Sequence, residues 1–156
     1  MYLYKVVNVL ETFRVPYAIV GCFAVALHGA VRGTMDLDLV LRFTLKDFER
    51  AEQALQSIGF QARLPVNGAQ VFRFREEYIK NRNLVAWSFY HPEKPSEIVD
   101  VIITNDLSQM KVTEVVIGTA TLKVASIEDL IRMKKQSARP QDLEDIAALK
   151  RLQQKR

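Results

Sequence analysis

The sequence predicts an α/β (α+β) chain: a mixed β-sheet flanked by helices, closed by a C-terminal helical pair. Three observations predict it. Short apolar strands appear at 17–20, 36–42 and 97–104, and the last two carry acids in their interiors. Apolar residues recur at helical spacing in 2–14 and 44–57, and Ser126 and Pro140 start two further helices to about 136 and 152. The 156 residues contain no repeat, low-complexity tract or dividing linker, so a single domain over 1–156 with one core is expected.

Each element has a local reason. Leu3, Val6, Val7, Leu10 and Phe13 form the inner stripe of the first helix, which Pro16 ends. Tyr17 to Val20 is a buried strand, and the small residues Cys22 to Leu27 make a short helix closed by Gly29. Asp36 to Arg42 is the second strand. Thr44 is an N-cap for a helix to about Ser57, stopped by Gly59, with Leu45, Phe48, Ala51, Leu55 and Ile58 inward. Residues 60–64 read as a strand, 68–82 as one helical stretch, 84–90 as a strand and 91–96, with two prolines, as a turn. Glu97 to Thr104 is apolar apart from Asp100, and Lys111 to Val124 is a hairpin turning at Gly118. Ser126 caps a helix to about Gln136, and Pro140 occupies the first turn of a last helix to about Leu152.

Composition narrows the function classes. No apolar run approaches the ~20 residues of a membrane span, and the N-terminal stretch carries Lys5, Glu11 and Arg14 in place of a signal h-region. Cys22 is the only cysteine, which excludes a disulfide framework or thiolate metal centre and makes the cytoplasm the expected address. The net charge of +4, concentrated at 63–82, 132–139 and 150–156, is compatible with a polyanionic partner such as RNA or a nucleotide.

The chemistry concentrates in residues 17–41. Gly21 opens a short helix after a strand, an arrangement suited to phosphate. Asp36 and Asp38 alternate with Leu37 and Leu39, so both acids face one side of the strand, about 6.6 Å apart at a ~3.3 Å rise per residue. At ~5 Å their carboxylates would repel by about 3 kcal/mol at an effective dielectric of 20, a cost that a divalent cation between them removes. Asp100 is the lone acid in a second apolar strand, and burying it needs a partner. That partner is either an arginine or a cation shared with Asp36 and Asp38. Three acids on adjacent strands can hold two Mg²⁺ ions, and Asp100, nearest the incoming hydroxyl, is then the candidate general base. These features suggest phosphoryl or nucleotidyl transfer from an NTP.

The run Gly21-Cys22-Phe23-Ala24, His28-Gly29, Arg32, Thr34, Asp36-x-Asp38 resembles the signature of the nucleotidyltransferase superfamily, the polymerase-beta-like fold. Together with Leu130 to Lys134 and Arg139 to Ile146, it is most similar to the small bacterial AbiEii/AbiGii toxin-type branch. The resemblance covers essentially the whole chain. It implies a single minimal nucleotidyltransferase domain with Gly21 and Cys22 on the triphosphate and Asp36, Asp38 and Asp100 on Mg²⁺. It also implies Arg32 and Thr34 ordering the loop before the acids or touching phosphate, Lys134 near the nucleotide as a catalytic residue, and Asp142 as a late acidic position that binds the nucleotide, with Asp145 beside it. Cys22 stands where the superfamily usually has Gly or Ser, so a hydroxyl donor is missing and the thiol is a weaker one. The implied reaction moves an NMP to a tRNA 3′ end or a protein Ser/Tyr hydroxyl, with a cognate antitoxin as partner.

Competing expectations stay open at this level. Asp142 and Asp145 also read as favourable charges at a helix N-terminus, and Lys134 and Lys135 as a solvated face. His28 reads as a buried imidazole bonded to a carbonyl. Trp87, Phe89 and Tyr90 read as core or as a stacking surface, and Arg73 and Arg75 share a face if their segment is extended. A catalytically silent binding module is the alternative function. A helix-turn-helix over 22–35 is disfavoured by Gly29 and Gly33.

Overall fold

The structure, a computed structural model, describes residues 2–29, 36–137 and 139–155. Helix α1 (Tyr2–Thr12) leads into β1 (Tyr17–Val20), α2 (Gly21–Leu27), β2 (Asp36–Leu41), α3 (Leu45–Ser57) and the short β3 (Gln61–Ala62). Helices α4 (Gly68–Arg73) and α5 (Arg75–Arg82) precede the hairpin of β4 (Ala86–His91) and β5 (Lys94–Ile102). A second hairpin, β6 (Val112–Ile117) and β7 (Ala120–Ala125), leads into α6 (Ile127–Ser137) and α7 (Pro140–Gln154).

The strands form one mixed sheet in the order β3-β4-β5-β2-β1-β7-β6. β2 runs parallel to β5 and β1 parallel to β7, while the other neighbours are antiparallel. The α/β class and the closing helical pair are therefore as the sequence predicts.

Alternation along the central strands builds two unlike faces. Leu37 and Leu39, Val99 and Val101, and Trp87 and Phe89 are buried. They meet α3, where the Phe48 ring stacks on Trp87 at 5.9 Å. The residues between them, Asp36, Asp38, Ser88, Tyr90, Ile98, Asp100 and Ile102, are only half-buried on the opposite face. Period-2 alternation thus places Asp36, Asp38 and Asp100 together on the face away from the core.

Local signals act where the sequence places them. Thr44 Oγ1 accepts from the Asp47 N–H at 3.1 Å, and Ser126 Oγ accepts from the Asp129 N–H at 3.2 Å. Gly118 turns the β6–β7 hairpin at φ +60°.

Two expectations are corrected. The single helical stretch over 68–82 is broken at Phe74, whose φ of −108° and ψ of 19° separate α4 from α5. Helix α5 packs only Tyr78 and Ile79 partly against the core, and the Leu84 N–H bonds the Tyr78 carbonyl where the chain leaves it for β4. Arg73 and Arg75 consequently do not share an extended face. Arg75 instead donates from Nε to the Ile103 carbonyl at 2.5 Å and lies 4.6 Å over the Phe43 ring. The turn over 91–96 is tighter than expected: His91 already pairs with Lys94, and β5 begins there because cross-strand pairing carries Pro95 into the strand's exposed start.

Candidate active site

The carboxylates meet because of strand register. In the parallel β2–β5 ladder Asp38 lies directly opposite Asp100, and Asp36 lies opposite Ile98. In the antiparallel β1–β2 ladder Val20 lies opposite Asp38, so the next residue, Gly21, passes the Asp38 side chain. Gly21 has φ +69°, and a Cβ there would stand 2.1 Å from Asp38 Oδ2. Only glycine permits both that backbone and that approach.

Crowding shifts the acids. Burial, then the charges of Asp100 and Asp36, push Asp38 up to about 7, against a smaller pull from Lys134. Burial and the Asp100 charge also raise Asp36, and the Arg63 guanidinium opposes them. Asp38 and Asp100 additionally share a side-chain hydrogen bond. The acids thus compete for charge in one place, as like carboxylates at close quarters do.

Asp38 and Asp100, but not Asp36, line a cleft of about 580 Å³. Gly21, Cys22, Asp38 and Asp100 line it from the sheet, and Leu130, Met133, Lys134 and Ser137 line it from α6. Arg139, at the N-cap of α7, and Thr104 and Asn105, just beyond β5, complete the wall. A second hollow of about 570 Å³, beside Arg14, Tyr17 and Lys123, contains none of the predicted site residues.

Helices α6 and α7 are joined by buried charge. Lys134 Nζ lies 3.3 Å from Asp142 Oδ1 and 2.9 Å from Asp145 Oδ2, with all three residues buried. The solvated-face reading of Lys134 is thereby corrected, because its ammonium is drawn inward by two acids on the next helix. Burial alone would raise Asp142, but hydrogen bonds from the Arg139 side chain and backbone and from Ser137, and the Lys134 charge, hold it well below the usual carboxylate range.

The other predicted residues separate clearly. His28 is buried, with Nε2 2.8 Å from the Ala125 carbonyl, so the imidazole fastens α2 to β7. Trp87 and Phe89 belong to the core, while Tyr90 faces the half-buried side. Arg32 and Thr34 lie outside the described residues. Arg139 was not singled out from the sequence as a site residue. Its one signal is the Arg-Pro-x-Asp spacing, in which Pro140 starts a helix and Asp142 reaches back to the residue before it.

The donor set of Asp38 and Asp100, two carboxylates abreast of which Asp38 is raised to about 7 by burial and then by its acidic neighbours, suits a hard divalent cation that takes oxygen ligands. Among the described residues no group of three or more His, Cys, Asp or Glu is placed to hold a metal ion, so Asp38 with Asp100 is the pair that the geometry offers. No helix among the described residues is long and apolar enough to cross a membrane.

No protein-family model and no curated protein matches the chain. Solved structures do. The antibiotic-resistance factor ANT(2'')-Ia is similar at a TM-score of 0.65 and 14% identity, over 94% of this chain and 80% of that one. The lincosamide antibiotic adenylyltransferase LnuA, bound to lincomycin, is similar at 0.62 and 17% identity, over 96% and 95% of the two chains. An antigenic nucleotidyltransferase-like protein from Paracoccidioides brasiliensis is similar at 0.56 and 19% identity, over 92% and 72%. At these identities the likeness concerns the backbone, and it extends to a superfamily fold rather than to a branch within it. The mixed sheet, the acids on its open face and these three likenesses agree on one architecture: the chain has the nucleotidyltransferase fold.

Proposed function

We propose that this chain is a nucleotidyltransferase of one minimal domain, moving an NMP from an NTP to an acceptor hydroxyl. The observation that carries the reading is the cleft floor, where Gly21 is backed against Asp38 and Asp38 stands abreast of Asp100. In this reading Asp38 and Asp100, with Asp36 beside them, hold Mg²⁺, which when bound supplies charge neutralisation for the phosphates and the departing pyrophosphate. The backbone at Gly21 and Cys22 faces the triphosphate. Asp100 takes the proton of the acceptor hydroxyl as its oxygen bonds to the α-phosphorus and the bond to pyrophosphate breaks. Lys134, hydrogen-bonded to Asp142 and ion-paired with Asp145, lines the cleft as the lysine nearest the nucleotide.

The acceptor is the finer question. The neighbours' names point to small hydroxylated antibiotics, a lincosamide for LnuA and tobramycin for ANT(2'')-Ia, which was solved with adenylyl-2''-tobramycin. The sequence resemblance points instead to a tRNA 3′ end or a protein hydroxyl, with an antitoxin as partner. One experiment covers these arms: purified protein with Mg²⁺, each α-labelled NTP, and lincomycin, tobramycin, total tRNA or a cell extract as acceptor. Transfer by the wild type, lost by at least about a hundredfold in Asp38→Asn and Asp100→Asn, is the expected result. Absence of transfer to every acceptor, together with no NTP binding, would leave the silent binding module as the reading.

A further inference from the structure

Asp142 is the late acid that the sequence resemblance places at the nucleotide, yet its carboxylate is wholly occupied inside the protein. The residue is 0% exposed. Its Oδ1 lies 3.3 Å from Lys134 Nζ and 3.4 Å from Arg139 Nη2, and its Oδ2 accepts from the Arg139 backbone N–H and from Nε, each at 3.0 Å. A carboxylate has about four acceptor positions, and these four bonds take them. A ligand therefore finds no acceptor on Asp142 unless the junction of α6 and α7 first opens.

What the carboxylate does is hold a guanidinium. Arg139 is the N-cap of α7, and its own backbone is fixed by the Asp142 bond, so side chain and main chain are clamped by one acid. Of the five N–H donors of a guanidinium, Nε and one on Nη2 are spent on Asp142, and three are left. The Arg139 side chain is 70% exposed, and the residue lines the cleft with Gly21, Cys22 and Asp38. The fields of Cys22 and Asp38 reach its guanidinium. A planar fork with a fixed plane and spare donors matches phosphate oxygens better than a mobile ammonium does.

We propose that Arg139 is a further cation of this cleft, beside Lys134, that contacts the nucleotide's phosphates, and that Asp142 is a positioning residue that aims it. The assignment rests on the nucleotidyltransferase reading. Lys134 shares the same carboxylate, so Asp142 sets the place of both cations while touching no ligand.

The test is calorimetric titration of the whole chain, in Mg²⁺, with α,β-methylene analogues of the four NTPs and with the matching NMPs. For the analogue that binds, Arg139→Ala is expected to weaken affinity by at least about tenfold, and the matching NMP by far less. Asp142→Asn is expected to weaken the analogue to a similar degree, and the double variant to be no weaker than Arg139→Ala alone. A general structural defect would lower NTP and NMP affinity together, so equal losses overturn the assignment. So does wild-type affinity in Arg139→Ala, a variant whose exposed side chain leaves folding intact even where Asp142→Asn does not fold. If the wild type itself binds no analogue, the transferase reading fails first and takes this assignment with it.

Discussion

Gly21 and Asp38 form a contact in which a single methyl group matters. Adding a Cβ at Gly21 places it 2.1 Å from Asp38 Oδ2 on a backbone at φ +69°, so Gly21→Ala must move either the turn or the carboxylate. Strain of this kind costs about 1–3 kcal/mol. Urea unfolding of Gly21→Ala is expected to show a loss in that range, with Mg²⁺·NTP affinity reduced by more than about tenfold. Asp38 makes a second, pH-dependent statement. Its carboxyl is raised from 3.8 to about 7, so between those values the folded chain holds a proton that the unfolded chain has released. Stability from this group is therefore full below about pH 4 and is lost as pH rises through about 7. In EDTA, the melting temperature of the wild type should fall across that window more steeply than that of Asp38→Asn. Identical slopes would mean that Asp38 titrates normally.

Helix α1 shows how an element ends without the residue that best suits the ending. Arg14 adopts φ 58°, its N–H bonds the Glu11 carbonyl, and the Val15 N–H reaches back to the Leu10 carbonyl. That is a Schellman-type closure with an arginine in the left-handed position that glycine favours. Arg14→Gly is expected to raise stability by about 0.5–1 kcal/mol, read by chemical denaturation, and to leave nucleotide affinity unchanged. Between α6 and α7 the logic is reversed, since a buried cation holds the elements together. Lys134→Ala would leave Asp142 and Asp145 buried without their shared ammonium, and such losses run to about 3–5 kcal/mol. The same variant should weaken NTP binding. A loss of stability without a drop in NTP affinity would assign Lys134 to the helix junction alone.

Across the whole molecule the sheet separates holding from doing. One face is closed by α3, with Phe48 in contact with Phe43 at 5.7 Å, Phe72 at 6.3 Å and Trp87 at 5.9 Å. The other face carries Asp36, Asp38 and Asp100, all half-buried, and Asp38 and Asp100 line the cleft. Phe48→Ala is therefore expected to cost about 3–5 kcal/mol of stability while leaving the NTP affinity of the folded fraction within about twofold, measured well below the melting temperature. A large affinity loss in that variant would show that the two faces are coupled through the sheet.

Much of the chain was legible from short-range signals. Thr44 and Ser126 cap helices with bonds to residues three positions on, Gly118 turns a hairpin, and Leu37, Asp38 and Leu39 alternate, all within a few residues of one another. The sequence by itself therefore determined the elements, the class of fold and the face on which the acids stand. It did not determine the break at Phe74, because a helix that packs only Tyr78 and Ile79 partly against the core has no full apolar stripe to mark its course. Nor did it reveal the clamping of Arg139, which depends on Asp142 being buried between two helices. The parallel pairing that sets Asp38 against Asp100, and the burial that turns Lys134 from a surface lysine into a junction, were decided by the tertiary structure alone. The reason is physical: register and burial arise when distant segments exclude water together, and no local pattern of residues contains that information.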